Sequence, residues 1–279
     1  MKAHMLFIDP QNSFMDYAES ELPVPGAVGD MQRCAKLLDR IGHKIDDVHV
    51  TMDSHPLIAI HLCSLDANTP SFWVGQNGEN PGPFQLVTVD DVKNRIWVPR
   101  IATHYKRALA YVEALAASKE QLTLCLWNPH CLIGTWGHNV QTDLNDALQR
   151  WAAKYFASID YYAKGKNYWT EHYGALMAEV PDPQDLSTQL NTDFLEMLKN
   201  VDIIGCGGEA TYHCFRTTMN QIADNIGDAH LKKFYLLTDG TSSVPAITGG
   251  PDFPALSQQW FKDMEARGMN LTTTDAFLA

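Results

Sequence analysis

Val201-Asp202-Ile203-Ile204-Gly205-Cys206-Gly207-Gly208-Glu209-Ala210-Thr211-Tyr212-His213-Cys214-Phe215-Arg216-Thr217-Thr218 is the stretch on which the reading of this chain turns. A short apolar run that breaks into glycines and restarts near Tyr212 describes a buried strand, a tight turn and a helix start. Cys214 falls at the positive end of that helix, where thiols ionise most readily. Unpaired N–H groups beside its sulfur could receive a developing oxyanion, so a nucleophilic cysteine is the leading reading. Two others stay open. Free cysteine is among the most buried and inert of residue types, and Gly205-x-Gly207-x-x-Ala210 after a strand fits a permissive dinucleotide-binding pattern.

Working outward, the same arrangement recurs: an apolar strand, then reactive side chains. Residues 4–8 form a strand that stops at Asp9-Pro10, placing Asp9 at a carboxyl end, where open parallel sheets bind ligands. Taken alone, Asp9 reads more readily as a solvated turn residue. Residues 28–41 set Val28, Met31, Ala35, Leu38 and Ile41 at helical spacing, with Cys34 packed among them. A strand over 48–52 runs into Asp53-Ser54-His55-Pro56, which can offer a carboxylate and an imidazole to one divalent ion. A third ligand, His130, follows a strand over 121–127 in Trp127-Asn128-Pro129-His130-Cys131. His61 is a further donor, although in its apolar run it also reads as an ordinary buried histidine.

A strand over 159–163 ends at Lys164-Gly165-Lys166, where either lysine is a surface residue by default. A helix over 188–198, a strand over 234–238 and a helix over 254–267 complete the pattern. Residues 64–120 break it, with turns, strands over 86–89 and 95–99 and a helix over 105–119, and read as an insertion within one domain spanning 1–279. About six strand and helix alternations predict an α/β fold, a doubly wound parallel six-stranded sheet flanked by helices. Every reactive residue would then meet at one edge.

The chain has 279 residues and a mass of 31.2 kDa, enough for one full core. A formal net charge of −12 speaks against duplex nucleic acid or an anionic membrane as partner and favours a small uncharged or cationic ligand. The six cysteines form no C-x-x-C pair, which speaks against a disulfide framework or thiolate zinc ribbon and fits reduced thiols in the cytoplasm. No basic, apolar and small-residue leader and no apolar run of membrane length is found, so a soluble protein is expected.

With these residues in hand, the sequence resembles the isochorismatase-like cysteine hydrolases and, within them, the nicotinamidases, over most of the chain outside 64–120. Phe7-Ile8-Asp9-Pro10-Gln11-Asn12-Ser13-Phe14 is similar to the opening strand, Asp53-Ser54-His55-Pro56 to the metal segment, and Trp127-Asn128-Pro129-His130-Cys131 to the segment carrying a stacking tryptophan and a metal histidine. Lys164-Gly165 with Glu171-His172-Tyr173-Gly174-Ala175 is similar to the lysine motif, and Gly208-Glu209-Ala210-Thr211-Tyr212-His213-Cys214 to the nucleophile loop. The resemblance implies Asp9, Lys164 and Cys214 as the catalytic set, with Lys164 favouring the thiolate. It implies an oxyanion hole from Ala210 and Cys214 behind a cis bond, and a ring clamp from Phe14 and Trp127. One divalent metal is implied on Asp53, His55 and His130: zinc from the mixed donors, with iron or manganese also suited. Ser54 replaces the family's usual aromatic, and the spacing of His61 leaves a fourth ligand open. The metal motif, missing from isochorismatases and carbamoyl-amidohydrolases, points to nicotinamide hydrolysis in NAD salvage. Another small carboxamide or carbamoyl substrate is the alternative within the class, and a non-catalytic dinucleotide-binding module the alternative outside it. The expected partner is a small amide, and a homo-oligomer is compatible.

Overall fold

In chain order the computed structural model, which describes residues 1–66, 68–247 and 249–279, begins with β1 (Ala3–Ile8), α1 (Ala27–Ile41) and β2 (Asp47–Asp53). Next come β3 (Trp73–Gly75), β4 (Gln85–Val87), α2 (Val89–Lys93), β5 (Trp97–Pro99) and α3 (Tyr105–Ala116). Then come β6 (Leu124–Leu126), α4 (Thr142–Tyr155), β7 (Asp160–Lys164), α5 (Thr192–Lys199) and β8 (Ile203–Gly208). The chain closes with α6 (Arg216–Asn225), β9 (Phe234–Leu237), α7 (Phe253–Arg267) and β10 (Asn270–Thr272).

Among the described residues, six strands form one sheet in the order β10-β9-β8-β1-β2-β7, all pairs parallel. From β1 the chain winds outward through β2 to β7, then returns to β8 on the other flank of β1 and winds outward again. That reversal opens a crevice at the carboxyl ends of β1 and β8, where ligands bind in sheets of this kind. It also switches the face that right-handed crossovers cover. Strand β1 records both faces: Ala3, Met5 and Phe7 join the apolar cluster of α1 and α4, while Leu6 and Ile8 join that of α5, α6 and α7. The expected doubly wound sheet is present.

Two details differ from the sequence reading. The strand expected over 121–127 narrows to β6 and lies outside the central sheet, antiparallel to β4. Leu124 and Leu126 are buried with Val87, Val112 and Leu115, so the insertion's apolar cluster claims this strand. The sixth sheet position goes to β10, whose three half-buried residues Asn270, Leu271 and Thr272 carry no legible period. The helix expected over 188–198 starts later, at Thr192, because the Asn191 side-chain oxygen accepts the Phe194 N–H at 3.0 Å and caps it there.

Residues 64–120 hold β3, β4, α2, β5 and α3, packed in an apolar cluster that also takes Ile60, Cys63, Leu124, Leu126 and Trp169. Trp73, wholly buried in it, donates its indole N–H to the Ile60 carbonyl at 2.7 Å and so ties the insertion to the chain leaving β2. No helix of the described residues is long and apolar enough to cross a membrane, and all six cysteines are free.

Candidate active site

Parallel register sets the carboxyl ends of four neighbouring strands side by side. Asp9 follows β1, Asp53 ends β2, Lys164 ends β7 and pairs in register with Asp53, and the Cys214 turn follows β8. The approach of β8 to β1 demands Gly208: its φ is +124°, and a Cβ there would strike the backbone of Ile8. The peptide bond Glu209–Ala210 is cis. Thr211–Phe215 then forms one wide turn that delivers Cys214 just ahead of α6.

The amine of Lys164 is the hub. Its Nζ lies 2.9 Å from Asp9 Oδ2, 3.0 Å from Asp53 Oδ1 and 3.7 Å from Cys214 Sγ, and donates to the His172 carbonyl at 2.8 Å. Lys164 is 3% exposed, Asp9 0% and Cys214 7%, so these charges meet almost without water. Lys166, by contrast, is exposed. Burial alone would lower the lysine's pKa, but Asp53 and Asp9 hold it well above the usual ammonium value. Burial also raises Asp9, against the pull of Lys164. Thr51 braces that carboxylate, its hydroxyl donating to Oδ1 at 2.6 Å and accepting the Asp9 N–H at 3.0 Å.

Several charges act on Cys214. Burial pushes its thiol well above the ordinary value, Lys164 pulls it back, and Asp9 and Asp53 push it up again. Burial and two carboxylates thus weigh against the thiolate at Cys214, and the Lys164 ammonium weighs for it. The sulfur and carboxylate oxygens of Cys214, Asp9 and Asp53 lie within 4.8 Å of one another. This cluster needs no metal, because the Lys164 ammonium already sits within it.

Beside the amine, a second set converges on the other oxygen of Asp53. Oδ2 lies 2.9 Å from His55 Nε2 and 3.3 Å from His130 Nε2. The opposite nitrogens face main-chain carbonyls, His55 Nδ1 to Gly165 at 3.1 Å and His130 Nδ1 to Asn128 at 2.7 Å. Such bonds hold the proton on Nδ1 and aim the Nε2 lone pairs inward, as metal-binding histidines require. Two inward lone pairs against a buried carboxylate repel unless a cation is shared, so these donors fit a divalent metal. Gly165 makes room for them: its φ is +81°, and a Cβ would come 2.6 Å from His55 Cε1 and 3.0 Å from Asp53 Oδ1. His61 Nε2 meets His55 on its Nδ1 side at 3.2 Å. It stands behind that ligand, away from Asp53, as a support.

His130 arrives by a route the sequence hid. Parallel bridges join His55 to Leu132 and Leu62 to Trp127, so the two chain segments beyond β2 and β6 run together above the sheet edge. Phe14, buried, packs its ring 5.5 Å from that of His130. Trp127 is half-buried, donates to the Tyr173 hydroxyl at 3.1 Å and stands edge-on to His213 at 6.0 Å and to Phe84 at 5.8 Å. Sequence reasoning missed Thr51, and also Gln11, whose side chain brackets Asp53 by accepting its N–H at 2.6 Å and donating to its carbonyl at 2.8 Å. It also missed Glu171, which burial holds near a pKa of about 8 despite the nearby His55. Gln11 stood in a quoted motif without a role, and Thr51 had no signal beyond a β-branched strand residue.

The glycines behind the dinucleotide reading are filled from within the protein. A Cβ on Gly205 would come 2.7 Å from the Phe277 ring, and one on Gly207 would come 3.1 Å from the Gly240 carbonyl. They admit close packing around β8.

The chain has the isochorismatase-like α/β fold, and at one sheet edge that fold brings a buried Asp–Lys–Cys cluster beside an Asp–His–His set. No protein-family model and no curated protein matches the sequence. Solved structures do match. The yeast nicotinamidase Pnc1p aligns at 17% identity over 98% of this chain and 99% of its own, with a TM-score of 0.60. The pyrazinamidase of Pyrococcus horikoshii in complex with zinc aligns at 16% over 98% and 99%, with a TM-score of 0.55. An isochorismatase family protein from Desulfovibrio vulgaris aligns at 16% over 99% and 96%, with a TM-score of 0.53.

Proposed function

We propose that this chain is a cysteine amidohydrolase, with nicotinamide as its first-choice substrate and nicotinate and ammonia as products, serving NAD salvage. The observation that carries this reading is the Lys164 amine in contact with Asp9, Asp53 and Cys214 in one buried site. Carboxamide hydrolysis needs a nucleophile, a group that removes and returns one proton, and donors for the oxyanion.

Asp9 takes the Cys214 proton, and the sulfur attacks the carboxamide carbon while the carbonyl π electrons move onto oxygen. The N–H groups of Ala210 and Cys214 receive that oxyanion; losing one such donor raises a barrier by about 3 to 4 kcal/mol. As the carbonyl re-forms, the carbon–nitrogen bond breaks and Asp9 returns the proton to the departing ammonia, leaving a thioester. Water, deprotonated by Asp9, cleaves the thioester to the acid and restores the thiol. Lys164 stays charged throughout, balancing the anion that moves between sulfur and carboxylate.

Asp53, His55 and His130 would hold a divalent ion, zinc by the donor types, which supplies a Lewis-acidic anchor for a ring nitrogen. Phe14 and Trp127 would border the ring. Phe84, brought by the insertion to the edge of Trp127, favours a second substrate reading within the class, another small carboxamide of different outline.

The test is ammonia release from a panel of aromatic carboxamides by wild type and Cys214→Ala, with and without chelator. Turnover of nicotinamide that vanishes in the variant is expected. Wild-type turnover by Cys214→Ala would overturn the covalent route, and turnover of other amides only would select the second reading.

A further inference from the structure

The sheet carries a second cluster of ligating side chains, at the edge opposite the candidate active site. Parallel partners in register point their side chains to the same face, as do residues two apart on one strand. His4 of β1 pairs with Asp47 of β2, and His49, two residues on, pairs with Asp160 of β7. Register alone therefore gathers two imidazoles and two carboxylates on the face shared with Leu6 and Ile8. His4 stands five residues before Asp9, which at roughly 3.3 Å per residue separates the two sites by about 16 Å.

The contacts follow that placement. His4 Nδ1 lies 2.8 Å from His49 Nε2, with 7% and 0% of the two residues exposed. A contact that short needs a shared proton or a shared cation between the nitrogens. The other nitrogen of His49, Nδ1, lies 3.2 Å from Asp160 Oδ2. His49 Nδ1 makes no hydrogen bond of good geometry, and the carboxylate on that side favours a proton on Nδ1, which leaves the Nε2 lone pair for a metal. Asp47 brings one oxygen within 4.8 Å of both histidine donors while accepting the Val48 N–H at 2.9 Å with Oδ1. The far side of the His49 ring packs on Phe194 at 6.0 Å and Tyr162 at 6.1 Å, an apolar wall that fixes its plane.

We infer that His4, His49 and Asp47 form a second divalent transition-metal site, with Asp160 positioning His49 and water completing the shell at the half-exposed rim. Two nitrogens on one tetrahedral zinc stand about 3.3 Å apart at zinc–nitrogen distances near 2.05 Å, so the rings need to part by only about half an ångström. The site ties β1, β2 and β7 together at their amino ends and touches no group of the amidase reading, so either stands without the other.

The experiment uses zinc alone as the probe. Wild type and His4→Gln are stripped with chelator, dialysed against buffered zinc and counted for metal per chain by mass spectrometry. His4→Gln is expected to hold one zinc fewer than wild type, with amide turnover unchanged. Equal zinc in the two proteins overturns the site. Should His4→Gln fail to fold by circular dichroism, Asp47→Asn, at a half-buried rim position, carries the same expectation, and wild-type zinc content there overturns it equally.

Discussion

Replacing Lys164 with methionine removes the cation and keeps most of the side chain's length. Its amine stands 2.9 Å from Asp9 and 3.0 Å from Asp53 with 3% exposure, so the change strands two carboxylates away from water. Breaking a buried pair from one side destabilises by about 3 to 5 kcal/mol. For a chain of this length, at about 2 °C per kcal/mol, the melting midpoint falls by roughly 6 to 10 °C. Amide turnover falls on the order of a hundredfold or more, because the charge moving between Asp9 and Cys214 loses its counter-ion.

The loss carries a pH signature. Burial already raises Asp9 against the pull of Lys164, and without the amine it rises further. A carboxyl whose folded pKa exceeds its unfolded value of about 3.9 binds extra protons in the fold, so stability falls as pH climbs through that window. In wild type, the raised Lys164 gives stability that is full below the free lysine value of about 10.4 and lost only as pH climbs through the folded value. The gap between the two proteins therefore widens from acid to neutral pH. Urea denaturation of chelated wild type and Lys164→Met at about pH 5 and about pH 8 measures it. A gap that is absent, or the same at both, refutes the buried-charge account.

Glu209, wholly buried near Asp30, is held well above the usual carboxyl range by burial and then by that neighbour, so it opposes folding once ionised. Glu209→Gln should gain on wild type as pH rises above about 4.3, by up to about 1.4 kcal/mol per pH unit within the window; a pH-independent difference in urea stability would contradict this. Gly165→Ala places a methyl 2.6 Å from His55 Cε1 on a backbone at φ +81°. It should weaken metal retention at Asp53, His55 and His130 by about tenfold or more, and retention equal to wild type after graded chelation would remove the argument for that glycine.

Much of this site was legible because a parallel sheet sorts chemistry by strand end. Asp9, Asp53 and Lys164 each stand at the close of a short apolar run, and the fold then brings β1, β2 and β7 side by side without further instruction. His130 was legible as a residue but not by its path, since β6 lies outside the sheet and two isolated bridges deliver it. Thr51, Gln11 and Glu171 act through partners that only tertiary packing selects. The state of Cys214 was hidden for a related reason: it is a balance of burial, one ammonium and two carboxylates drawn from separate strands, and no local motif carries that sum.

Asp53 is where the two halves of the site become one. Its Oδ1 holds Lys164 at 3.0 Å while its Oδ2 faces His55 at 2.9 Å and His130 at 3.3 Å, so a single carboxylate touches both the Lys164–Cys214 cluster and the histidine pair. A cation held on Oδ2 would draw charge from Oδ1, loosen its hold on the amine and leave more of that ammonium to Asp9 and Cys214. The register Asp53↔Lys164 permits this, and a slip of one residue would turn Lys164 to the opposite face. Under the proposed amidase reading, metal occupancy and thiol ionisation would be coupled through this one side chain, and the pairing of β2 with β7 would be part of the chemistry.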